Sequence, residues 1–314
     1  MTAAASTAQQ QLEDAEKRLF EAYGLPYECV RVSLTDPSLD VAVRIVGDGS
    51  PLLFVHGSGM SAATWAPLLQ QIAGHRLLAL DLPGFGLSDP YSYEGRSLRE
   101  HAVAQLTSVL EALDLGRARV VGTSLGAMWA LCLALDAPER VDGVVALGVP
   151  AVCLPGMKGD AYFKLMTTPV LRAVISRAPA PSTPTKVRAA MKNVLGDRAT
   201  AALGDDFYDV VRAGMAMPGW KVAMRTHLNL AMRRGRARPE NVFSDDELGR
   251  IETDVHFIWG DADVYGPPAI GERAVSLMPH ARLDVVPGNH AAFLDDPRGC
   301  AQLIHERQTD DADA

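Results

Sequence analysis

Short apolar runs recur along the chain, and most are continuous rather than alternating with polar residues. The runs with strand character are CVRVSL, DVAVRIV, PLLFVH, RLLALDL, ARVVG, VDGVVAL, VHFIWG and RLDVVPG. Continuous runs of this length are typical of strands buried on both faces of a sheet. Helical patterns lie between them, at about 62–73, 97–114, 124–136, 268–278 and 291–307. This alternation predicts an α/β fold with a mostly parallel, eight-stranded sheet flanked by helices, whose first two strands are antiparallel.

The segment 151–245 interrupts this rhythm, because it shows helical stretches broken by prolines and no good strand. The strand pattern resumes at VHFIWG, so the segment is predicted to be an insertion within one domain formed by 30–150 and 246–308. It holds seven of the eleven methionines. Because methionine adapts to irregular apolar surfaces, this enrichment is consistent with a pliable apolar pocket and equally with ordinary packing between helices.

Both ends of the chain are expected to fray. Residues 1–11 are mostly Ala, Ser, Thr and Gln, and the chain ends in the acidic stretch QTDDADA. Within an N-terminal extension at 1–29, the apolar residues Leu12, Leu19 and Phe20 fit a short amphipathic helix that stops near Gly24.

Charge and composition exclude several classes of function. The net charge of -8 disfavours a surface that binds nucleic acid, and the densest basic stretch, MRRGRARP at 232–239, is typical of a solvated helix end and loop. The four cysteines have no CxxC spacing, which favours reduced, mostly buried thiols. The chain has neither a signal-peptide pattern nor an apolar stretch long enough to span a membrane. We therefore expect a cytoplasmic protein, with its oligomeric state, including a homo-oligomer, left open.

Candidate chemistry centres on Ser124 in the sequence GTSLG, at 122–126. The serine follows the apolar run ARVVG and precedes the apolar helical pattern LGAMWALCLAL. A strand, a sharp glycine-flanked turn and a helix are the context in which a Gly-x-Ser-x-Gly serine acts as a nucleophile. The start of the helix also offers free backbone N–H groups to developing negative charge.

A serine nucleophile needs a histidine base, which in turn is oriented by an acid. His290 follows the last strand on the short loop GNH, whereas His75, His101, His227, His280 and His305 are predicted to be surface, helical or otherwise structural positions. The acid is expected in GDADVYGP, and Asp263, further out on this loop than Asp261, is preferred. Asp261 is better placed to hold the turn through its own backbone.

An oxyanion hole is expected from the sequence HGSG at 56–59, which ends a strand, together with the start of the helix after Ser124. The backbone N–H groups of Ser58 and Leu125 are the predicted donors, with Gly59 as the alternative to Ser58.

From about residue 30 to 305 the chain resembles the α/β-hydrolase superfamily, on the motifs HGSG, DLPGFGLSD, GTSLG, GDAD and GNH in that order. The resemblance implies a helical cap at 151–245, inserted after the sixth strand, and an acid at the second aspartate of GDAD, Asp263. It also implies a structural role for Asp81. A serine nucleophile sets aside the epoxide hydrolases and haloalkane dehalogenases of this superfamily, which use aspartate. Asn289, between Gly288 and His290, departs from the more frequent Gly-His sequence.

These residues predict a serine hydrolase that cleaves an ester, thioester or lactone of a small to medium apolar molecule, without metal or organic cofactor. HGSG also resembles the loop of C–C bond hydrolases that act on ring-cleavage products, so hydrolysis of a vinylogous diketone is an alternative. Haloperoxidase- or perhydrolase-like activity and biosynthetic cyclisation or acyl transfer use the same residues and stay open. A non-catalytic ligand-binding receptor is the alternative from another class.

Overall fold

The computed structural model describes residues 3–159, 161–168 and 181–310. An eight-stranded sheet forms the centre of the fold. Its strands are β1 (Glu28–Leu34), β2 (Leu39–Val46), β3 (Ser50–Val55), β4 (His75–Leu80), β5 (Ala118–Thr123), β6 (Val141–Leu147), β9 (Val255–Gly260) and β10 (Ala281–Val286). A separate hairpin consists of β7 (Met232–Arg233) and β8 (Arg236–Ala237). Each of the eight apolar runs forms one strand of the large sheet.

The sheet has the order β1-β2-β4-β3-β5-β6-β9-β10. Strand β2 runs antiparallel to both of its neighbours in the sheet, β1 and β4. The remaining neighbours in the sheet, from β4 through β3, β5, β6 and β9 to β10, pair in parallel. Every residue of β5 and of β9 is buried, as expected for central strands covered by helices on both faces. The predicted α/β fold with a mostly parallel sheet is therefore confirmed.

The helices lie between and beyond these strands. They are α1 (Ala3–Ala22), α2 (Ala66–Leu69), α3 (Leu98–Ala112), α4 (Leu125–Asp136), α5 (Ala161–Met166), α6 (Pro184–Ala202), α7 (Asp205–Met215), α8 (Trp220–Ala231), α9 (Asp245–Gly249), α10 (Ala269–Leu277), α11 (Ala292–Asp295) and α12 (Pro297–Asp310). None of the described helices has both the length and the apolar character needed to cross a bilayer.

Two predicted helices are shorter or divided. The pattern at 62–73 forms a 3₁₀ turn at Ala62–Trp65 followed by the single turn of α2. The pattern at 291–307 divides into α11 and α12, because Pro297 cannot donate a backbone hydrogen bond within a helix and instead takes the first position of a new one. The acidic end that was expected to fray is helical as far as Asp310, and residues 311–314 lie outside the described residues.

The N-terminal helix is longer than predicted. Helix α1 begins at Ala3, so most of the stretch that was expected to fray is helical. Leu12, Leu19 and Phe20 are fully or almost fully buried, and Phe20 stacks on Tyr27 with ring centroids 4.1 Å apart. Burial of this apolar face anchors the helix, and the preceding alanines and glutamines have the propensity to extend it.

A buried charge cluster joins α1 to the sheet. The guanidinium of Arg44 on β2 donates to both carboxylate oxygens of Glu16, at 2.6 and 2.7 Å, and also to Asp81. Asp81 additionally accepts the backbone N–H groups of Ala62 and Leu87, at 2.7 and 2.8 Å. Burial raises the pKa of Glu16 to about 7, although Arg44 opposes the shift. These contacts support the structural role predicted for Asp81.

The segment between β6 and β9 leaves the sheet and contains α5, α6, α7, α8 and α9. The expectation that it holds no strand is wrong at one place, since MRRGRARP forms the β7–β8 hairpin rather than a helix end and loop. Arg234 and Gly235, at its turn, have φ values of 52° and 75°. Positive φ at both central residues characterises the tight turn that matches the twist of a two-residue hairpin.

Candidate active site

Ser124 lies at the sharp turn between β5 and α4. Its φ of 51° and ψ of -113° are strained for a residue other than glycine, and its side chain is partly exposed. The first ten residues of α4 are all buried, which fixes the direction of the helix beneath the serine. Strain at a single residue held between two buried elements is typical of functional positions, because the surrounding packing must stabilise it.

The two glycines that flank the serine are required by close backbone contacts. A Cβ atom on Gly122 would lie 2.4 Å from the carbonyl carbon of Gly126, across the turn. A Cβ atom on Gly126 would lie 2.0 Å from the carbonyl oxygen of Val55 at the end of β3. Neither site can hold a larger residue without moving backbone, so the Gly-x-Ser-x-Gly spacing follows from packing between β3, β5 and α4.

Asp263 and His290 form a hydrogen-bonded pair beyond the ends of β9 and β10. His290 Nδ1 lies 2.9 Å from Asp263 Oδ2. Because the carboxylate only accepts, Nδ1 carries a proton, and in the neutral form of the ring Nε2 has the lone pair. Asp263 also accepts the backbone N–H groups of Val149, at 3.0 Å, and Tyr265, at 2.9 Å. These contacts hold the carboxylate in one orientation.

The other residues of the two loops have supporting contacts. Asp261 Oδ1 accepts the N–H of Gly288 at 3.0 Å, so this side chain joins the two loops, whereas the expected contact was with the backbone of its own turn. The side-chain oxygen of Asn289 accepts the N–H of His290, at 2.8 Å, and of Val264, at 3.3 Å. The additional Asn289 therefore accommodates His290 in the loop and joins it to the segment that carries the acid.

The loop at residues 56–59, which we name the HGSG loop, packs directly against Ser124. A Cβ atom on Gly57 would lie 3.3 Å from Ser124 Cβ, so the glycine permits this approach. Buried His56 fixes the start of the loop: its Nδ1 donates to Gly57 O at 2.8 Å, and its Nε2 accepts the N–H of Leu82 at 3.1 Å. Burial lowers the pKa of His56, consistent with a neutral structural histidine.

Four of the five predicted site residues line one cavity above Ser124. Ser58, Ser124, Leu125 and His290 line it, and Asp263 lies behind His290. Leu125 is the first residue of α4, so its N–H has no carbonyl partner in the preceding turn of the helix. The remaining lining is mainly apolar, and Met157 and Met232 are the two methionines of the segment 151–245 that contribute to it.

His227 is a residue of this cavity that the sequence did not single out. It was predicted only as a surface or structural helix position, but it is fully buried on α8 and its Nε2 lies 2.9 Å from Ser58 Oγ. Its Nδ1 lies 3.0 Å from the carbonyl oxygen of Ala223. Burial lowers the pKa of His227 to about 4, so the ring is neutral near pH 7. Helical periodicity around MRTHLNL placed it on a helix, but no local signal indicated which loop the helix would meet.

The described residues contain no group of three or more His, Cys, Asp or Glu side chains arranged to hold a metal ion. The polar groups around the cavity include the partly exposed Ser124 hydroxyl, the His290 imidazole held by a carboxylate, and backbone N–H groups at a loop and a helix start. This set can transfer a proton and stabilise a developing oxyanion.

Sequence comparison agrees with the fold. The family model described as "Alpha/beta hydrolase family" matches residues 52–303. The chain belongs to the alpha/beta hydrolase family. Among curated members, a 2-hydroxy-6-oxononadienedioate/2-hydroxy-6-oxononatrienedioate hydrolase of Paraburkholderia xenovorans is 30% identical over 264 residues, 82% of this chain and 86% of that protein.

Other proteins that are similar to this chain differ in the substrates that their names state. A 2-hydroxy-6-oxo-6-phenylhexa-2,4-dienoate hydrolase of Burkholderia cepacia is 27% identical over 77% of this chain and 81% of its own length. The crystal structure of naproxen esterase from Bacillus subtilis superposes with a TM-score of 0.76 at 19% identity, covering 98% of this chain and 99% of the esterase. The family relationship establishes the chain as a hydrolase, and the structural likeness establishes the shared fold.

Proposed function

We propose that this protein is a serine hydrolase that cleaves an ester, thioester or lactone of a largely apolar, small to medium molecule. The observation that carries the proposal is the geometry around Ser124: a strained serine shares one cavity with His290, whose Nδ1 is held 2.9 Å from the Asp263 carboxylate. Ser124 is the nucleophile, His290 the general base and acid, and Asp263 the group that orients His290 and stabilises its cationic form.

The proposed reaction has two stages. Ser124 Oγ attacks the substrate carbonyl while His290 Nε2 takes its proton, and the N–H groups of Leu125 and Ser58 stabilise the oxyanion. Collapse of the intermediate breaks the bond to the leaving group, which takes the proton from His290 and departs, leaving an acyl-enzyme on Ser124. A water molecule then gives its proton to His290 and attacks the acyl carbon, and the second collapse releases the acid and restores Ser124.

The cavity favours an uncharged acyl group. Within the described part of the chain, its lining includes no Lys, Arg, Asp or Glu side chain, and most of its lining residues are apolar, including Val149, Val152, Phe163 and Leu228. Burying a carboxylate among such residues is costly unless a cation pairs with it. Apolar acyl groups bring no such cost, which supports an ester-type substrate.

Hydrolysis of a C–C bond in a vinylogous diketone is the second candidate, and the curated relatives favour it. The hydrolase of P. xenovorans is named for substrates that are dioates, which carry two carboxylates. The same serine and histidine could serve this reaction, with the histidine also assisting tautomerisation of the substrate. The uncharged lining of the described cavity is the reason that we place it second.

The test is a substrate screen of wild type and Ser124→Ala. It uses p-nitrophenyl esters of increasing acyl length, thioesters, lactones and a 2-hydroxy-6-oxo-dienedioate. We expect ester-type turnover that Ser124→Ala abolishes. Turnover of the dienedioate with negligible ester cleavage would replace the first candidate by the second. Tight ligand binding without any turnover would indicate a receptor instead.

Two further proposals accompany this function. We propose that residues 151–245 act as a cap over the 30–150 and 246–308 core, which is supported by the Met157, Phe163 and Leu228 side chains that this segment contributes to the cavity. We also propose that the protein works in the cytoplasm. All four cysteines are unpaired and three of them are buried, which suits a reducing compartment.

A further inference from the structure

One face of helix α8 is attached to the HGSG loop at three points. Trp220 Nε1 donates to the carbonyl oxygen of Gly59 at 3.0 Å, and the position of a Cβ on Gly59 is 3.4 Å from the sulfur of Met224. His227 Nε2 lies 2.9 Å from Ser58 Oγ. Trp220, Met224 and His227 are spaced by four and three residues, so they lie on the same side of the helix.

The direction of the hydrogen bond between His227 and Ser58 follows from the other partner of the histidine. The carbonyl oxygen of Ala223, 3.0 Å from His227 Nδ1, can only accept, so Nδ1 carries the single proton of the neutral ring. His227 Nε2 is therefore an acceptor, and the Ser58 hydroxyl donates to it. The rings of Phe85 and Tyr93 lie edge-on to the imidazole, at centroid distances of 5.8 and 5.9 Å, and help to fix its orientation.

The hydroxyl of Ser58 is therefore not available to donate to a substrate oxyanion. Its one proton is engaged by His227, and only its lone pairs can face the cavity. Any stabilisation of an oxyanion by Ser58 must come from the backbone N–H, whose direction depends on how the loop is held. His56 fixes the start of that loop, and α8 contacts its other end.

We propose that His227 is a positioning residue for the oxyanion hole: by accepting the Ser58 hydroxyl, it holds the HGSG loop so that the Ser58 N–H points over Ser124. This inference rests on the proposed function. If His227 has this role, catalysis requires that α8 packs against the HGSG loop. The segment 151–245, which contains α8, would then both line the cavity and position part of the oxyanion hole. Trp220 strengthens the same attachment through Gly59.

The kinetic test compares His227→Leu, which removes the acceptor, with His227→Gln, whose side-chain oxygen restores one. For ester hydrolysis we expect His227→Leu to lower kcat between about fivefold, the effect of one neutral hydrogen bond, and about a hundredfold, the lower range for loss of an oxyanion donor. KM stays within about threefold, because the change acts mainly on the transition state. His227→Gln recovers a substantial part of the loss.

A double-mutant cycle tests whether His227 acts through Ser58. Ser58→Ala keeps the backbone N–H but removes the hydroxyl, so its effect on kcat should resemble that of His227→Leu. The double variant Ser58→Ala/His227→Leu should then lose little more than either single variant. His280→Leu removes an exposed histidine and is the matched control, expected to have wild-type kcat. Wild-type kcat in His227→Leu, or fully additive losses in the cycle, would overturn the proposal.

Amide hydrogen exchange separates this inference from the proposed function, because it needs no turnover. We expect peptides covering residues 56–60 to exchange faster in His227→Leu than in wild type, and the rate to recover in His227→Gln. Unchanged exchange in His227→Leu overturns the positioning role even if kcat falls. Ester turnover that persists in Ser124→Ala refutes the proposed nucleophile, and the exchange result then still decides whether His227 holds the loop.

Discussion

Replacement of Asp263 by asparagine is the perturbation whose outcome the geometry specifies most fully. The carboxylate accepts His290 Nδ1–H and the Val149 N–H through Oδ2, and the Tyr265 N–H through Oδ1. An amide group of the same shape must place an NH2 at one of these two positions. At either position it faces a backbone donor, so Asp263→Asn loses at least one hydrogen bond as well as the charge.

The two orientations of the new amide have different consequences for His290. With the NH2 towards Tyr265, the hydrogen bond from the Tyr265 N–H is lost, but the amide oxygen still accepts His290 Nδ1–H, and that contact loses only its charge. A charge-assisted hydrogen bond contributes about 1.5–3 kcal/mol, so kcat falls about ten- to 150-fold. With the NH2 towards His290, the proton of the ring moves to Nε2, which can no longer accept the proton of Ser124. Loss of the correct tautomer in a serine hydrolase lowers kcat by about 10⁴.

The assay is the initial rate of p-nitrophenyl ester hydrolysis at saturating substrate, with circular dichroism and thermal unfolding to verify the fold. Asp261→Asn is the matched control, since Asp261 accepts only the exposed N–H of Gly288 among the contacts of these loops, and we expect its kcat within about threefold of wild type. A value of kcat for folded Asp263→Asn within threefold of wild type, or a greater loss in Asp261→Asn, would refute the assigned roles.

Three further predictions concern packing, charge and the cavity. Gly126→Ala would place a Cβ atom 2.0 Å from Val55 O, so we expect it to lower the free energy of unfolding, measured in urea, by about 3 kcal/mol or more. Gly214→Ala is the control, because a Cβ atom at this helix position has no atom within 4 Å, and we expect it to be neutral or stabilising. Equal effects of the two substitutions would contradict the packing argument. Because the pKa of Glu16 is raised to about 7 in the folded state, wild type binds an extra proton between about pH 4.5 and 7, and its free energy of unfolding should fall by up to about 3 kcal/mol as the pH rises through that range. Glu16→Gln should remove this component of the pH dependence, and equal slopes in the two proteins would count against it. Met157→Phe should shift the preferred acyl chain of p-nitrophenyl esters towards shorter lengths by filling the cavity, and an unchanged length profile would place the acyl group elsewhere.

Much of the fold could be predicted because its signals are local. Each strand of the large sheet coincides with a short apolar run, most of them continuous, and helical patterns separate these runs. The residues around Ser124 share this property, because a tight turn between a strand and a helix demands glycine at fixed positions. The packing of Gly122 and Gly126 shows why that spacing survives: neither position has room for a Cβ atom.

The features that escaped prediction depend on contacts between distant parts of the chain. Helix α1 extends to Ala3 because Leu12, Leu19 and Phe20 find a buried surface and Glu16 pairs with Arg44, 28 residues further along the chain. His227 meets Ser58 across 169 residues, and only the docking of α8 on the HGSG loop brings them together. Periodicity describes one element at a time and cannot indicate which loop a helix will contact.

The most direct test of the central claim is the identification of the residue that becomes acylated. Wild type and Ser124→Ala are treated with a fluorophosphonate and, separately, with a slowly hydrolysed p-nitrophenyl ester, and intact mass and peptide mapping then locate any adduct. The proposed mechanism predicts one adduct per chain, on the peptide that contains Ser124, and none in Ser124→Ala. An adduct of equal yield in Ser124→Ala, or one mapped to another residue of wild type, would contradict it.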